Sequence, residues 1–97
     1  MALKVAPQAL SDIRAASAWW RANRPAAPHL LREELRQAFR LLLRQPHIGA
    51  KCLNAESADI RRLFLRGSRY FIYYSVHESD VEVLRVWHAS RGTKPKL

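Results

Sequence analysis

The 97-residue chain is poor in the residues that break or loosen structure, with 3 Gly and 5 Pro. That composition excludes a collagenous, linker-like or largely disordered protein. A single cysteine, Cys52, leaves no partner for an internal disulfide, and no Cys/His spacing resembles a zinc site. The expectation is a reducing, intracellular setting with no metal and no cofactor. No stretch approaches the roughly 20 apolar residues of a membrane span, and the opening Met1-Ala2-Leu3-Lys4 lacks the apolar run of a signal peptide. A soluble, cytoplasmic protein with no membrane association is therefore expected. Acids are scarce: 8 Asp+Glu stand against 17 Lys+Arg, a formal charge of +9. An excess of that size calls for a polyanionic or acidic partner, with a nucleic acid, an anionic membrane surface and an acidic protein all compatible with the charge alone. Lysine is scarce too, because 13 of the cations are Arg. Arg suits planar, bidentate pairing with carboxylates and phosphates, although a GC-rich genome would write the same bias.

What is present is enough for one core: 48% of the residues are hydrophobic, and a chain this short holds one domain, spanning 1–97. Leu3, Lys4 and Val5 make a short extended start, and Pro7 suits the first turn of a helix, where its missing N–H would be unpaired anyway. Over 8–22 the apolar positions Leu10, Ile13, Ala16 and Trp20 recur at three and four, the helical period. A second helix over 28–44 carries the stripe Leu31, Leu35, Ala38, Phe39 and Leu42 and stops at Gln45-Pro46. The short connection makes the two an antiparallel hairpin. Residues 47–58 show no period and read as a loop. Three runs rich in β-branched and aromatic residues follow, at 60–66, 70–77 and 81–88, separated by turn clusters. The predicted class is α+β: a short N-terminal strand, then the helical hairpin packed on one face of a three-strand antiparallel meander. Apolar residues fall on both alternating sets of the last strand, which places part of it centrally in the sheet. The basic tail, from about 90 to 97, reads as loose.

Several residues stand out chemically. His88 ends the last strand near Arg85 and Arg91 and is the best candidate for acid–base work; the plain alternative is a hydrogen-bonded strand-end histidine. No serine has a nucleophile-elbow context. Arg32, Arg36, Arg40 and Arg44 recur every four residues as one ridge, either a solvated face of good helix formers or a docking ridge for an acidic partner helix. Trp19 and Trp20 lie about 100° apart on a helix; Trp20 is in phase with Ile13 and Ala16 and belongs to the core, which leaves Trp19 at a rim. Tyr73 and Trp87 suit packing better than base stacking.

The order of elements, the opening Val5-Ala6-Pro7-Gln8-Ala9-Leu10-Ser11-Asp12-Ile13, the pair Trp19-Trp20, Pro46-His47-Ile48-Gly49, Arg61-Arg62-Leu63, the strand Tyr70-Phe71-Ile72-Tyr73-Tyr74 and the ending Val83-Leu84-Arg85-Val86-Trp87-His88 together resemble the RelE/ParE superfamily of bacterial toxins, most closely its ParE branch. The resemblance implies a toxin neutralised by a cognate acidic antitoxin in a hetero-oligomer. It offers two chemistries, ribosome-dependent mRNA cleavage in RelE-like members and poisoning of DNA gyrase in ParE-like ones. RelE-like nucleases place an Arg after the aromatic that opens the central strand, where this chain has Phe71. They place Lys or Glu at the entry to the meander, where it has Lys51, Cys52 and Leu53, with Glu56 later. Several end in Tyr, where it ends in Lys96-Leu97. The resemblance thus favours a non-enzymatic gyrase inhibitor, with Arg85, His88, Arg91, Lys94 and Lys96 on the target and with Trp19, the ridge Arg32, Arg36, Arg40 and Arg44, and Arg61 and Arg62 on the antitoxin. In the nuclease alternative His88, Arg85 and Arg91 carry the chemistry; a basic nucleic-acid-binding module is the third reading. Arg85 and Arg91 are expected to be exposed, so that removing both costs little stability.

Overall fold

The computed structural model describes residues 1–52 and 59–97. In chain order the elements are β1 (Ala2–Val5), α1 (Pro7–Asn23), α2 (Leu30–Arg44), β2 (Ala50–Lys51), β3 (Asp59–Leu65), β4 (Tyr70–Val76) and β5 (Asp80–His88). The predicted meander forms as β3–β4–β5, but it is the middle of a five-stranded mixed sheet of order β1-β5-β4-β3-β2. On one side β1 pairs with β5 in parallel, Leu3 opposite Val81 and Val5 opposite Val83; a parallel neighbour needs a long connection, and here the two helices carry the chain to the opposite edge, from which the meander returns to β5. On the other side the two-residue β2 pairs with Arg61 and Arg62. That strand falls inside the stretch read as a loop, because two residues are too few to show a period. No helix among the described residues is long and apolar enough to cross a membrane.

One face of the sheet meets the helices. Tyr70, Ile72 and Tyr74 of β4 and Val81, Val83 and Val86 of β5 join Leu31, Leu35, Ala38 and Leu42 of α2 and Ala9, Ala16 and Trp20 of α1 in one core. The α2 stripe is as the periodicity predicts. On α1 the stripe runs through Ala9 instead of Leu10, which is 41% exposed; a methyl at position 9 lets the helix settle close to the sheet, where a leucine would hold it off. The register slips between Tyr73 and Tyr74, which face Arg85 and Val83, so Leu84 is an extra residue in β5. This bulge keeps Val83 and Val86 on the same covered face despite their odd separation.

Polar contacts fix the ends of the elements. The Glu34 carboxylate of α2 accepts the N–H groups of Gly67 and Ser68 at 2.7 and 2.8 Å and so ties the β3–β4 turn to the helix. The Trp20 indole donates to the Ala27 carbonyl at 2.7 Å and closes the interhelical connection. At the other end the buried Tyr74 hydroxyl accepts the Gly49 N–H at 2.8 Å. A Cβ at position 49 would lie 2.5 Å from that oxygen and 2.8 Å from the Arg62 carbonyl, so only glycine lets the chain pass there. The tail also departs from expectation. The Trp87 indole donates to the Thr93 carbonyl at 2.7 Å and Pro95 is buried, so the last residues fold back on the sheet.

Two outcomes follow from this packing. Ile72→Ala, at a position with no exposure, should lower the unfolding free energy by about 2–5 kcal/mol in a urea titration. Burial pushes the Tyr70 and Tyr74 phenols above their usual 10.0, so the unfolded chain loses those protons first. The contribution of these two phenols to stability should be constant below about pH 10 and fall as pH rises through the folded values; urea titrations from pH 8 to 11 check it, and Tyr74→Phe should shallow the decline in its upper part.

Candidate functional site

The face of the sheet turned away from the helices carries the side chains that alternate with the core set. Register lines them into two rows across the strands: Arg62, Tyr73 and Arg85 in one, Phe64, Phe71 and Trp87 in the other. The rows interlock. Arg62 lies 4.4 Å from the Phe71 ring centroid, Arg69 5.9 Å from Phe64, and Arg85 and Arg91 4.9 and 3.7 Å from Trp87. The Phe64 and Phe71 rings meet at 5.0 Å between centroids, tilted by 48°. Guanidinium groups on aromatic faces keep their edge N–H groups available for acceptors, so Arg62, Arg69 and Arg91 can hold carboxylates or phosphates over an apolar floor, while Arg85 gives its fork to Asp12. Tyr73 and Trp87, expected as packing residues, also meet cations: Tyr73 lies between Arg62 and Arg85 in its row, and the Trp87 ring carries Arg85 and Arg91.

Beside Tyr73 the returning tail closes a cavity of about 370 Å3, lined by Lys51, Cys52, Arg62, Lys94 and Pro95 among others. Burial raises the Cys52 thiol above its ordinary value, with Arg62 and Lys94 only partly opposing the shift. The thiol therefore stays protonated at neutral pH and is a poor nucleophile. Leu53 and Glu56, named with Lys51 and Cys52 in the nuclease comparison, lie outside the described residues.

The predicted site residues are dispersed. Arg85 is not the exposed cation that was expected. Its Nε and Nη2 donate to the two carboxylate oxygens of Asp12 at 2.7 and 3.0 Å, the side chains are 18% and 14% exposed, and the hydrogen bond from Arg85 to Asp12 raises the guanidinium further above its ordinary value. The cause is topological: β1 stops opposite Val83 and Asp12 fills the edge it leaves. Arg61 is likewise engaged, donating to the carbonyls of His47 and Gly49 at 2.9 Å each and to Asp59 at 3.0 Å. It fastens the segment before β2 to β3 and is only 15% exposed, unlike its neighbour Arg62 on the opposite face. His88 Nδ1 accepts the Ser90 N–H at 3.1 Å and lies 2.7 Å from its hydroxyl, with the ring edge-on to Tyr70. That is the strand-end histidine of the plain reading. Arg91 remains exposed near it, Lys94 lines the cavity, and Lys96 is exposed on the tail. The ridge Arg32, Arg36, Arg40 and Arg44 is exposed on α2, with Arg36 3.6 Å from Glu33. Trp19 is 47% exposed while Trp20 is 6% exposed.

Sequence reasoning did not single out Phe64, Arg69, Glu34 or Asp12. The scarcity of acids was the available signal, since a carboxylate kept in so basic a chain has a specific task.

The family described as "ParE toxin of type II toxin-antitoxin system, parDE" matches residues 3–92. Among solved structures, a chain of the chromosomal ParDE toxin–antitoxin system from P. aeruginosa is 19% identical with a TM-score of 0.72, over 91% of this chain and 95% of that one. A chain of the intact E. coli RelBE toxin–antitoxin complex is 27% identical with a TM-score of 0.61, over 92% and 96%. The isolated E. coli RelE toxin is also 27% identical at 0.61, over 93% and 85%. No curated protein matches.

The contrast between Arg85 and Arg91 is measurable. Arg85→Ala strands a carboxylate that is mostly buried and should cost about 1–3 kcal/mol, less than a fully buried pair because water still reaches it. Arg91→Ala should cost under about 1 kcal/mol. Equal denaturation midpoints for the two variants would show that the Asp12 pair does not hold the fold.

Proposed function

Since the chain belongs to the family of ParE toxins of type II toxin–antitoxin systems, we propose that it works in the cytoplasm by binding and poisoning DNA gyrase, and that a cognate acidic antitoxin neutralises it. The observation that carries this reading is the sheet face on which Arg62, Arg69, Arg85 and Arg91 lie over Phe64, Phe71 and Trp87. Such a face binds: its cations meet an acidic or phosphate-bearing surface, while its rings supply the apolar burial from which affinity comes. The net charge of +9 speeds encounter with such a surface. Arg91, Lys94 and Lys96 extend the basic end toward the target, and Arg85 takes part through the shape and charge it shares with Asp12. The ridge on α2 and Trp19 are left for the antitoxin.

Cleavage of RNA would ask for a positioned base and acid beside the cations. His88 is occupied by Ser90, Cys52 stays protonated, and Phe71 stands where the resemblance puts an arginine in nucleases. One observation favours the nuclease alternative: Lys51, Arg62 and Lys94 converge with Tyr73 on one cavity, in a chain 27% identical to E. coli RelE.

Purified protein should inhibit supercoiling by gyrase, and its overexpression should induce the DNA-damage response while translated transcripts stay whole. Primer extension showing cleavage at codon positions, with supercoiling unaffected, would reverse the assignment.

A further inference from the structure

The basic ridge on α2 is unaccounted for by the fold. Arg32, Arg36, Arg40 and Arg44 are all exposed, while the opposite stripe of the same helix, Leu31, Leu35, Ala38 and Leu42, lies in the core. Cations four residues apart on a helix repel one another, and little in the chain offsets that repulsion. Glu34 is turned away to the β3–β4 turn, where it accepts the N–H groups of Gly67 and Ser68. Glu33 meets Arg36 at 3.6 Å, and among the described residues no carboxylate lies within ion-pair distance of Arg32, Arg40 or Arg44. The ridge also ends in a concavity. At the connection between the helices a pocket of about 120 Å3 is lined by Ser17 and Arg21 of α1, by His29 and by Arg32, together with Trp20 and Leu31. That volume is well below the roughly 300 Å3 from which pockets enclose whole small ligands, so the pocket takes a single group. Two guanidinium groups and a hydroxyl are the donors that a phosphate oxygen accepts from.

We propose that α2 lies along the backbone of duplex DNA, with Arg32, Arg36, Arg40 and Arg44 on phosphates of one strand and a further phosphate in the pocket between Arg21 and Arg32. Length and charge agree: the ridge runs about 18 Å at the helical rise, over which one strand of a duplex presents about five phosphates. Other polyanions fit less well. An anionic membrane takes the apolar face of an amphipathic helix, and that of α2 is consumed by the core. A single strand stacks its bases on exposed rings, and none of the exposed residues of α2 is aromatic. A protein interface has an apolar centre, whereas the exposed leucines of α2, Leu30 and Leu43, stand at its two ends. Contacts of this kind hold DNA without reading its sequence. Because α2 covers one face of the sheet and the rings and cations of the proposed target face line the other, duplex and target occupy opposite sides of the molecule. The inference goes beyond the gyrase reading and concerns the chain free of its antitoxin, which under that reading takes the same ridge.

Fluorescence anisotropy of the whole chain with a labelled duplex of mixed sequence, between about 50 and 200 mM NaCl, tests the ridge. Each phosphate contact contributes about −0.9 to the slope of log K against log[NaCl]. Arg36→Ala/Arg40→Ala should therefore flatten the slope by about 1.8 and weaken binding about 10-fold, and Arg21→Ala should flatten it by about 0.9. Lys4→Ala/Arg14→Ala, which removes the same charge from β1 and α1, should keep the slope within about 0.3 of wild type. All of these positions are exposed, so the variants should melt within a few degrees of wild type. Equal flattening in the ridge and control variants would reduce the effect to net charge and overturn the ridge. Flattening confined to Arg62→Ala/Arg91→Ala would move the DNA to the sheet face and overturn it too, as would tighter binding of the single strand than of the duplex. The mixture holds neither gyrase nor antitoxin, so failure of the ridge and failure of the toxin reading show separately.

Discussion

The carboxylate of Asp12 decides how α1 is fastened to the sheet. Once the chain turns out of β1 into α1 at Pro7, the far half of β5 is left with a bare edge, and bare edges invite pairing with other chains. Asp12 reaches that edge from the second turn of α1, accepts the Val86 N–H at 3.0 Å and grips the Arg85 fork. Charge-assisted bonds are about twice as strong as neutral ones, and three of them on one side chain fix both the height and the rotation of the helix. Ala9, Ile13, Ala16 and Trp20 supply apolar contact along α1, but contact of that kind is non-directional and sets no register by itself.

The same economy governs the other acids. Glu34 holds the β3–β4 turn, Asp59 meets Arg61 and His47, Asp80 meets Lys4, and Glu33 meets Arg36. Most of these carboxylates serve the interior or the seams between elements, so the positive charge left over is not neutralised where it is displayed. It is concentrated on the outer side of α2 and on the uncovered face of the sheet. The covered face is aliphatic and tyrosine-rich, and the uncovered one alternates rings with guanidinium groups. The molecule thus separates what holds it together from what it presents to others, on the two faces of one sheet.

What could be read in the sequence was whatever is local. The α2 stripe, the division of labour between Trp19 and Trp20, the three strands of the meander and the central position of β5 all follow from spacing within a single element. What escaped was set across distance. The Asp12–Arg85 pair joins residues 73 apart, and neither position carries a mark of the other. Arg61 looked like its neighbour Arg62, but strand alternation sends one to backbone carbonyls and the other to the opposite face. The tail lacks any period, yet one indole hydrogen bond and one buried proline hold it. The shift of the α1 stripe from Leu10 to Ala9 belongs to the same class, because how closely a helix approaches a sheet is decided by the sheet as well.

The parallel pairing of β1 with β5 has a consequence in time. Ala2 meets Asp80 and Val5 meets Val83, so the first strand to leave the ribosome waits for the last of the described strands. At the usual synthesis rate of about 5–20 residues per second, that interval lasts several seconds. Contacts so distant along the chain are also slow to close. During translation α1 therefore lacks both the strand beside which it will sit and the Val86 N–H to which Asp12 will bind. The two rows of the outer face likewise stay incomplete, since Arg85 and Trp87 are made only at the end. A growing chain thus displays the basic ridge of α2 early, and the outer face of its sheet is completed only when β5 arrives.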